Sequence, residues 1–144
     1  MEAVIFIGVQ GSGKSTFYQQ RFFHTHLRVS LDLLRTRHRQ GKFIKLCLAT
    51  QQHFVIDNTN SKIAARAPYI AAAKEASFRV IGYYFQTELA DALRRNAQRS
   101  GKERVPVPGV IGTFKYLQEP TLEEGFDELH MVTIDQENRF IVLP

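Results

Sequence analysis

Ala3-Val4-Ile5-Phe6-Ile7-Gly8-Val9-Gln10-Gly11-Ser12-Gly13-Lys14-Ser15 is the stretch on which the reading of this chain turns. Ala3 to Ile7 are continuously apolar and rich in β-branched side chains, the pattern of a strand buried on both faces. Gly8 to Ser15 then fit the spacing G-x-x-x-x-G-K-[ST]. Glycines let a backbone bend until successive N–H groups face inward onto one anion. A helix opening at Lys14 aims its positive pole at the same place. The Lys14 ammonium is expected to reach the β and γ phosphates of ATP, and the Ser15 hydroxyl to ligate Mg²⁺. Gly11, Ser12, Gly13, Lys14, Ser15 and Thr16 are therefore the expected nucleotide cradle.

Outward from this stretch, short apolar runs alternate with amphipathic segments. Strands are expected at Leu27–Ser30, His53–Asp57, Phe78–Phe85 and Leu129–Ile134, with a further one at Phe140–Leu143. Helices are expected over Lys14–Phe23, Leu31–Gln52 with a break at Gly41, Ser61–Ala76 capped by Ser61, Thr87–Arg99 capped by Thr87, and Val110–Gln118. This alternation predicts the α/β class. The expected architecture is a P-loop NTPase fold: a mostly parallel sheet of about five strands, helices on both faces and a helical lid. The whole chain, 1–144, reads as one domain with the lid at about 95–118.

Composition narrows the class. With 144 residues, 44% apolar and 23% charged, the chain can bury a core without covalent staples. The single cysteine, Cys47, excludes an internal disulfide and a multi-cysteine zinc site, and is expected to pack as a small apolar side chain. Ala3–Val9, the longest apolar stretch, is too short to span a bilayer and lacks a basic flank. No membrane association and a cytoplasmic location are expected. A net charge of +5 favours anionic partners.

Further residues suit phosphoryl transfer. Guanine-reading Asn/Thr-Lys-x-Asp is absent, which points away from a GTPase. Asp32 follows the second strand, where ligand groups gather in an open α/β sheet. As a general base it would take the proton of an acceptor hydroxyl. Arg35, three residues on, would share its helix face and fork onto an acceptor phosphate. Asp57 ends an apolar strand and can hold Mg²⁺ with Ser15. Asn58, Thr59 and Asn60 follow as short polar groups, any of which can also make an Asx-type turn. Arg95 and Arg99, four apart, can close over a polyphosphate as part of a mobile lid.

Taken in order, Gly11-Ser12-Gly13-Lys14-Ser15-Thr16, Asp32-x-x-Arg35, Val55-Ile56-Asp57-Asn58-Thr59-Asn60, Arg95-Asn96-x-x-Arg99 and Pro120-Thr121-Leu122-x-Glu124-Gly125-Phe126 resemble the polynucleotide 5′-hydroxyl kinase domains of phage and animal end-repair enzymes. The resemblance implies transfer of the ATP γ-phosphoryl to a 5′-OH end of DNA or RNA. It implies Lys14, Asp32 and Arg99 as catalytic residues, with Asp32 the base and Arg99 the lid arginine. Arg35, Thr59 and Asn60 would bind substrate, Arg95 would stack on adenine, and Ser15 and Asp57 would hold Mg²⁺.

The chain departs from that family in two places. The segment from Arg35 to His53 is short, and no Asp-x-Asp-x-Thr phosphatase motif is present, so end-trimming is not expected. The short acceptor segment leaves open a small hydroxylated acceptor such as a nucleoside, sugar or antibiotic; a non-catalytic nucleotide-sensing module is a third reading. Arg35, Arg37, His38, Arg39, Lys42 and Lys45 form a basic run that suits either a nucleic-acid backbone or a solvated helix face. Phe43 is expected as a helix contact, Phe17, Tyr18, Phe22 and Phe23 as core, and His24 and His26 as surface without metal-ligand company.

Overall fold

A computed structural model describes residues 1–144. In β1 (Glu2–Ile7), side chains alternate between two faces, and both faces are covered. Ala3, Ile5 and Ile7 enter one core with Ile44, Cys47, Ile70 and Phe126. Val4 and Phe6 enter the other with Phe17, Tyr18, Phe22 and Phe85. A strand so placed has no polar side to show, which is why its sequence is an unbroken apolar run. The aromatics of the second core meet edge to face, Phe6 and Phe85 with ring centres 5.0 Å apart and Phe17 and Phe140 at 5.1 Å.

Around β1 lie β2 (Leu27–Val29), β3 (Phe54–Ile56), β4 (Arg79–Phe85), β5 (Glu128–Ile134) and β6 (Phe140–Leu143). They form one sheet in the order β2-β3-β1-β4-β5-β6. Every pairing is parallel except β5 with β6, which is antiparallel through a tight turn at Asp135–Arg139. The sheet thus has six strands, one more than the approximate five, and the α/β architecture is as expected. Six helices connect them: α1 (Lys14–Arg21), α2 (Leu31–Leu34), α3 (Arg37–Ala49), α4 (Ile63–Glu75), α5 (Leu89–Ala97) and α6 (Val107–Tyr116). No helix is long and apolar enough to cross a membrane.

Local expectations fail where distant groups supply what local chemistry promised. Gly41 lies inside α3, and the helical break falls at Arg35–Thr36 instead. Arg35 takes a left-handed backbone (φ 76°), and the Thr36 hydroxyl restarts the helix by accepting the Arg39 amide at 3.1 Å. Ser61 does not cap α4; the Ile63 amide donates to the Gln118 side chain at 2.8 Å, so the cap comes from beyond α6. Nor does Thr87 cap α5, because its hydroxyl accepts from Arg95 at 3.3 Å. Phe23 is 61% exposed rather than core, since α1 ends at Arg21 and the chain turns outward. His26 is 9% exposed rather than surface. It pairs with Glu2 at 2.9 Å and lies against His53, and burial pushes its pKa down. Cys47 and Phe43 pack as expected, the thiol wholly buried and the ring against the core.

Candidate active site

Strand β1 delivers its chain into the cradle, and the loop has no room for alternatives at two glycines. Gly11 (φ 81°) and Gly13 (φ 93°) sit in the left-handed region that favours glycine. A Cβ on Gly11 would lie 2.4 Å from the Ala92 carbonyl oxygen, so α5 is mounted directly on the loop. Gly8 N–H donates to the Thr59 carbonyl at 3.0 Å, tying the loop's start to the end of β3. Lys14 is buried, and its ammonium donates to the carbonyls of Gly8 (2.9 Å) and Val9 (2.8 Å). Burial pulls its pKa down to about 8; the Asp57 carboxylate works against that, the Arg99 guanidinium adds to it, and the Asp32 carboxylate opposes it. Ser12 Oγ is buried without a partner inside the chain. An orphaned hydroxyl in a ring of amides, with an ammonium beside it, fits a polyphosphate.

At the next turn the Ser15 hydroxyl donates to Asp57 Oδ2 at 3.1 Å. Two hard oxygen ligands side by side suit Mg²⁺, whose site residues these were expected to be. The sequence did not point to their third companion. Arg28, from the middle of β2, donates from Nε to Asp57 Oδ2 (2.8 Å) and from Nη2 to Ser15 Oγ (3.0 Å). Its only signal was a lone charge within Leu27-Arg28-Val29-Ser30, a segment already assigned to the sheet.

Beside the cradle, Ser30 caps α2, its hydroxyl accepting the Asp32 amide at 3.2 Å. Asn58 braces that turn from β3: its Oδ1 accepts the Leu31 amide at 3.0 Å and its amide donates to Gln40 at 2.7 Å. Gln40 in turn donates to the Tyr69 hydroxyl at 2.7 Å. Asn58 therefore makes tertiary bonds rather than an Asx turn, and it positions the backbone that carries Asp32. The Asp32 and Arg35 side chains are exposed and committed to no partner. They do not share a helix face as expected, because α2 ends at Leu34 and Arg35 is its C-terminal cap.

Asn60 corrects a second expectation. It is buried, and its side-chain N–H donates inward to the Phe6 carbonyl at 2.8 Å, so its donor is committed within the core. Its own carbonyl accepts from Arg66 at 2.8 Å. Arg66, wholly buried, forks onto Glu124 at 2.8 and 3.0 Å. Glu124 also accepts the Thr121 amide at 2.9 Å. Arg66 thus joins the Asp57–Asn60 segment to the Pro120–Phe126 segment, two of the motifs noted in the sequence. Thr59 is half-buried at the same strand end.

On the other side of the loop, Arg94 and Arg95 of α5 and its C-terminal cap Gln98 face Gln136 and Asn138 across a polar cavity of about 340 Å³. Arg99 follows the end of α5, half-buried, where the chain is held by Arg104 donating to the Arg99 and Ala97 carbonyls at 2.9 and 2.6 Å. Asn96 is buried and clasps Val105 through both its amide atoms, so it fastens the segment from α5 to α6.

Comparisons agree with this geometry. An AAA domain family matches residues 4–119. A bifunctional polynucleotide phosphatase/kinase of Schizosaccharomyces pombe is 29% identical over 135 residues, 91% of this chain and 33% of that protein. The chain spans about a third of that relative's length. Two solved structures share the fold. A gluconokinase from Sinorhizobium meliloti gives a TM-score of 0.63 at 16% identity, covering 94% of this chain and 83% of its own. Chaetomium thermophilum Kti12 in complex with ADP-AlF3 gives 0.68 at 16%, covering 94% and 92%. The resemblance to polynucleotide kinase domains drawn from the motifs is borne out.

Proposed function

The chain belongs to the AAA domain family, and from that premise we propose that it is an ATP-dependent kinase acting on the 5′-hydroxyl of a polynucleotide. One observation carries the reading: the Asp32 carboxylate is exposed and uncommitted on the turn after β2, a turn braced by Asn58, which directly follows the Asp57 that meets Ser15 of the cradle. A base for an alcohol and a grip for a polyphosphate are therefore on one side of the sheet.

In this reading the loop amides, Ser12 and Lys14 hold the triphosphate of ATP. Mg²⁺, when bound at Ser15 and Asp57, supplies neutralising charge to the phosphate oxygens. Arg35 forks onto a phosphate of the acceptor strand and sets its terminal hydroxyl beside Asp32. Asp32 takes the hydroxyl proton as that oxygen bonds to the γ phosphorus. The bond from phosphorus to the β–γ bridging oxygen breaks, and ADP leaves. Arg99 and Lys14 offset the charge that spreads over the transferring group. Thr59 lines the acceptor side, and Arg95 contributes to the adenine end through the polar cavity beside α5. The segment from about 95 to 118 acts as the lid, and 1–144 as one catalytic unit. The exposed cations of α3, Arg37, Arg39, Lys42 and Lys45, with His38 among them as a polar neighbour, extend the acceptor side along a strand backbone.

The test is incubation with γ-labelled ATP, Mg²⁺ and 5′-OH oligonucleotides of DNA and RNA. Label is expected on the 5′ end. Label on a nucleoside or sugar but on no oligonucleotide would move the acceptor to the small-molecule class that the short Arg35–His53 segment also suits. No transfer to any alcohol would leave a nucleotide sensor.

A further inference from the structure

The three-way contact at the expected metal site has a cation in it already. We infer that Arg28 is a built-in stand-in for the divalent metal: its guanidinium neutralises Asp57 and orders Ser15 while the cradle is empty, and it leaves both oxygens when metal enters. This rests on the nucleotide-and-metal part of the reading above and not on the identity of the acceptor.

The geometry is specific. One guanidinium reaches both metal-site oxygens, with Nε on Asp57 Oδ2 at 2.8 Å and Nη2 on Ser15 Oγ at 3.0 Å. The Asp57 side chain is 2% exposed, whereas that of Arg28 is 24% exposed. A carboxylate so deeply placed requires a permanent counter-charge. The arginine, by contrast, retains a path to water. Ser15 now donates its proton to Asp57 and accepts from Arg28, so the hydroxyl has both directions used. A metal ligated by both oxygens would take the position these bonds fill and repel the guanidinium. A resting place lies beside it: Arg28 Cζ is already 6.0 Å from the centre of the Tyr18 ring. That ring is pinned, its hydroxyl donating to the His26 carbonyl at 2.6 Å. Val29, the next residue, points into the opposite core, so the alternation of β2 fixes Arg28 on the cradle side.

An exchange of this kind makes metal affinity a difference between two cations competing for one pair of oxygens. It predicts that removing the arginine tightens metal binding, the reverse of what loss of a merely structural ion pair would do. Free Mn²⁺ can be counted by its paramagnetic resonance signal as the nucleotide-free protein is titrated. Arg28→Met is expected to bind Mn²⁺ about tenfold more tightly than the unaltered chain, while Arg28→Lys stays within a few-fold of it. Equal or weaker Mn²⁺ binding by a folded Arg28→Met overturns the proposal. Should that variant fail to fold, the unaltered protein decides. The Arg28 Nε–H resonance, protected by Asp57 in the free state, is expected to lose protection when Mg²⁺ and ADP are added together. Its persistence with Mg²⁺ bound also overturns the proposal. Neither readout involves phosphoryl transfer, so a negative kinase assay and a negative result here are separable.

Discussion

In the cradle, Lys14 is buried with both carbonyl partners in hand, and the loop around it is fixed by Gly11 against α5 and by Gly8 against Thr59. Across the same sheet edge, Asp32 and Arg35 stand exposed with no partner in the chain, although the backbone beneath them is braced by Ser30, Asn58 and Gln40. The two regions differ in what is settled before ligand arrives. The phosphate-gripping half is preorganised in its side chains and backbone alike. The half proposed to take the acceptor is ordered only in its backbone, and its Asp32 and Arg35 side chains have no partner in the chain. Preorganisation lowers the ordering cost of binding, so the first half should carry affinity and the second should carry rate.

That division can be broken most severely on the acceptor half. Asp32→Asn is expected to lower kcat by about 10²–10⁴ while leaving the ADP dissociation constant within twofold, measured by pre-steady-state transfer and by calorimetry. A parallel loss of nucleotide affinity would place Asp32 in the cradle instead of opposite it. The brace under both halves comes next. Arg66→Ala leaves Glu124 buried without its partner and is expected to cost about 3–5 kcal/mol of stability in denaturant unfolding. A loss below about 1 kcal/mol, the scale of an exposed pair, would show that the Pro120–Phe126 segment is not held this way.

The smallest effect sharpens the comparison through protons. Lys14 is held at about 8 in the folded protein against 10.5 ordinarily, so between those values the unfolded chain carries more protons. The Lys14 contribution to stability therefore improves as pH rises from about 8 toward 10.5. Nucleotide binding runs the other way, because a polyphosphate favours the charged ammonium. At pH 8 the complex should take up about half a proton, and affinity should fall as pH rises further. Calorimetry in two buffers of different ionisation enthalpy reads this directly, and no uptake at pH 8 would remove Lys14 from the phosphate.

The parts of this molecule legible in its sequence are those whose causes are local. An apolar run followed by spaced glycines, lysine and serine determines its own strand, loop and helix within thirteen residues. Asp57 was legible for the same reason, as a carboxylate closing an apolar strand. Arg66 was not, because its partner lies 58 positions away and a lone arginine in an alanine-rich helix reads as solvated. Arg28 and Gln40 were hidden likewise, polar residues whose value comes from β3 and α4. Asn60 was misread for the converse reason: its neighbours Asn58 and Thr59 look equally available, and only the fold shows that its amide faces inward to Phe6. The helical break moved from Gly41 to Arg35 because a hydroxyl cap at Thr36 outweighs the modest propensity penalty of one half-buried glycine.

Cys47, the only thiol, lies on the buried face of α3, and burial holds its pKa up at about 11. Maleimides and iodoacetamides, which attack thiolate, will therefore pass it by at neutral pH. A cysteine introduced at an exposed position such as Leu33 or Lys102 can then carry a fluorophore alone, with no background mutation needed. Two such dyes, one on each side of the loop, would report by single-molecule energy transfer whether the arginine-bearing segment closes on Asp32 when nucleotide binds.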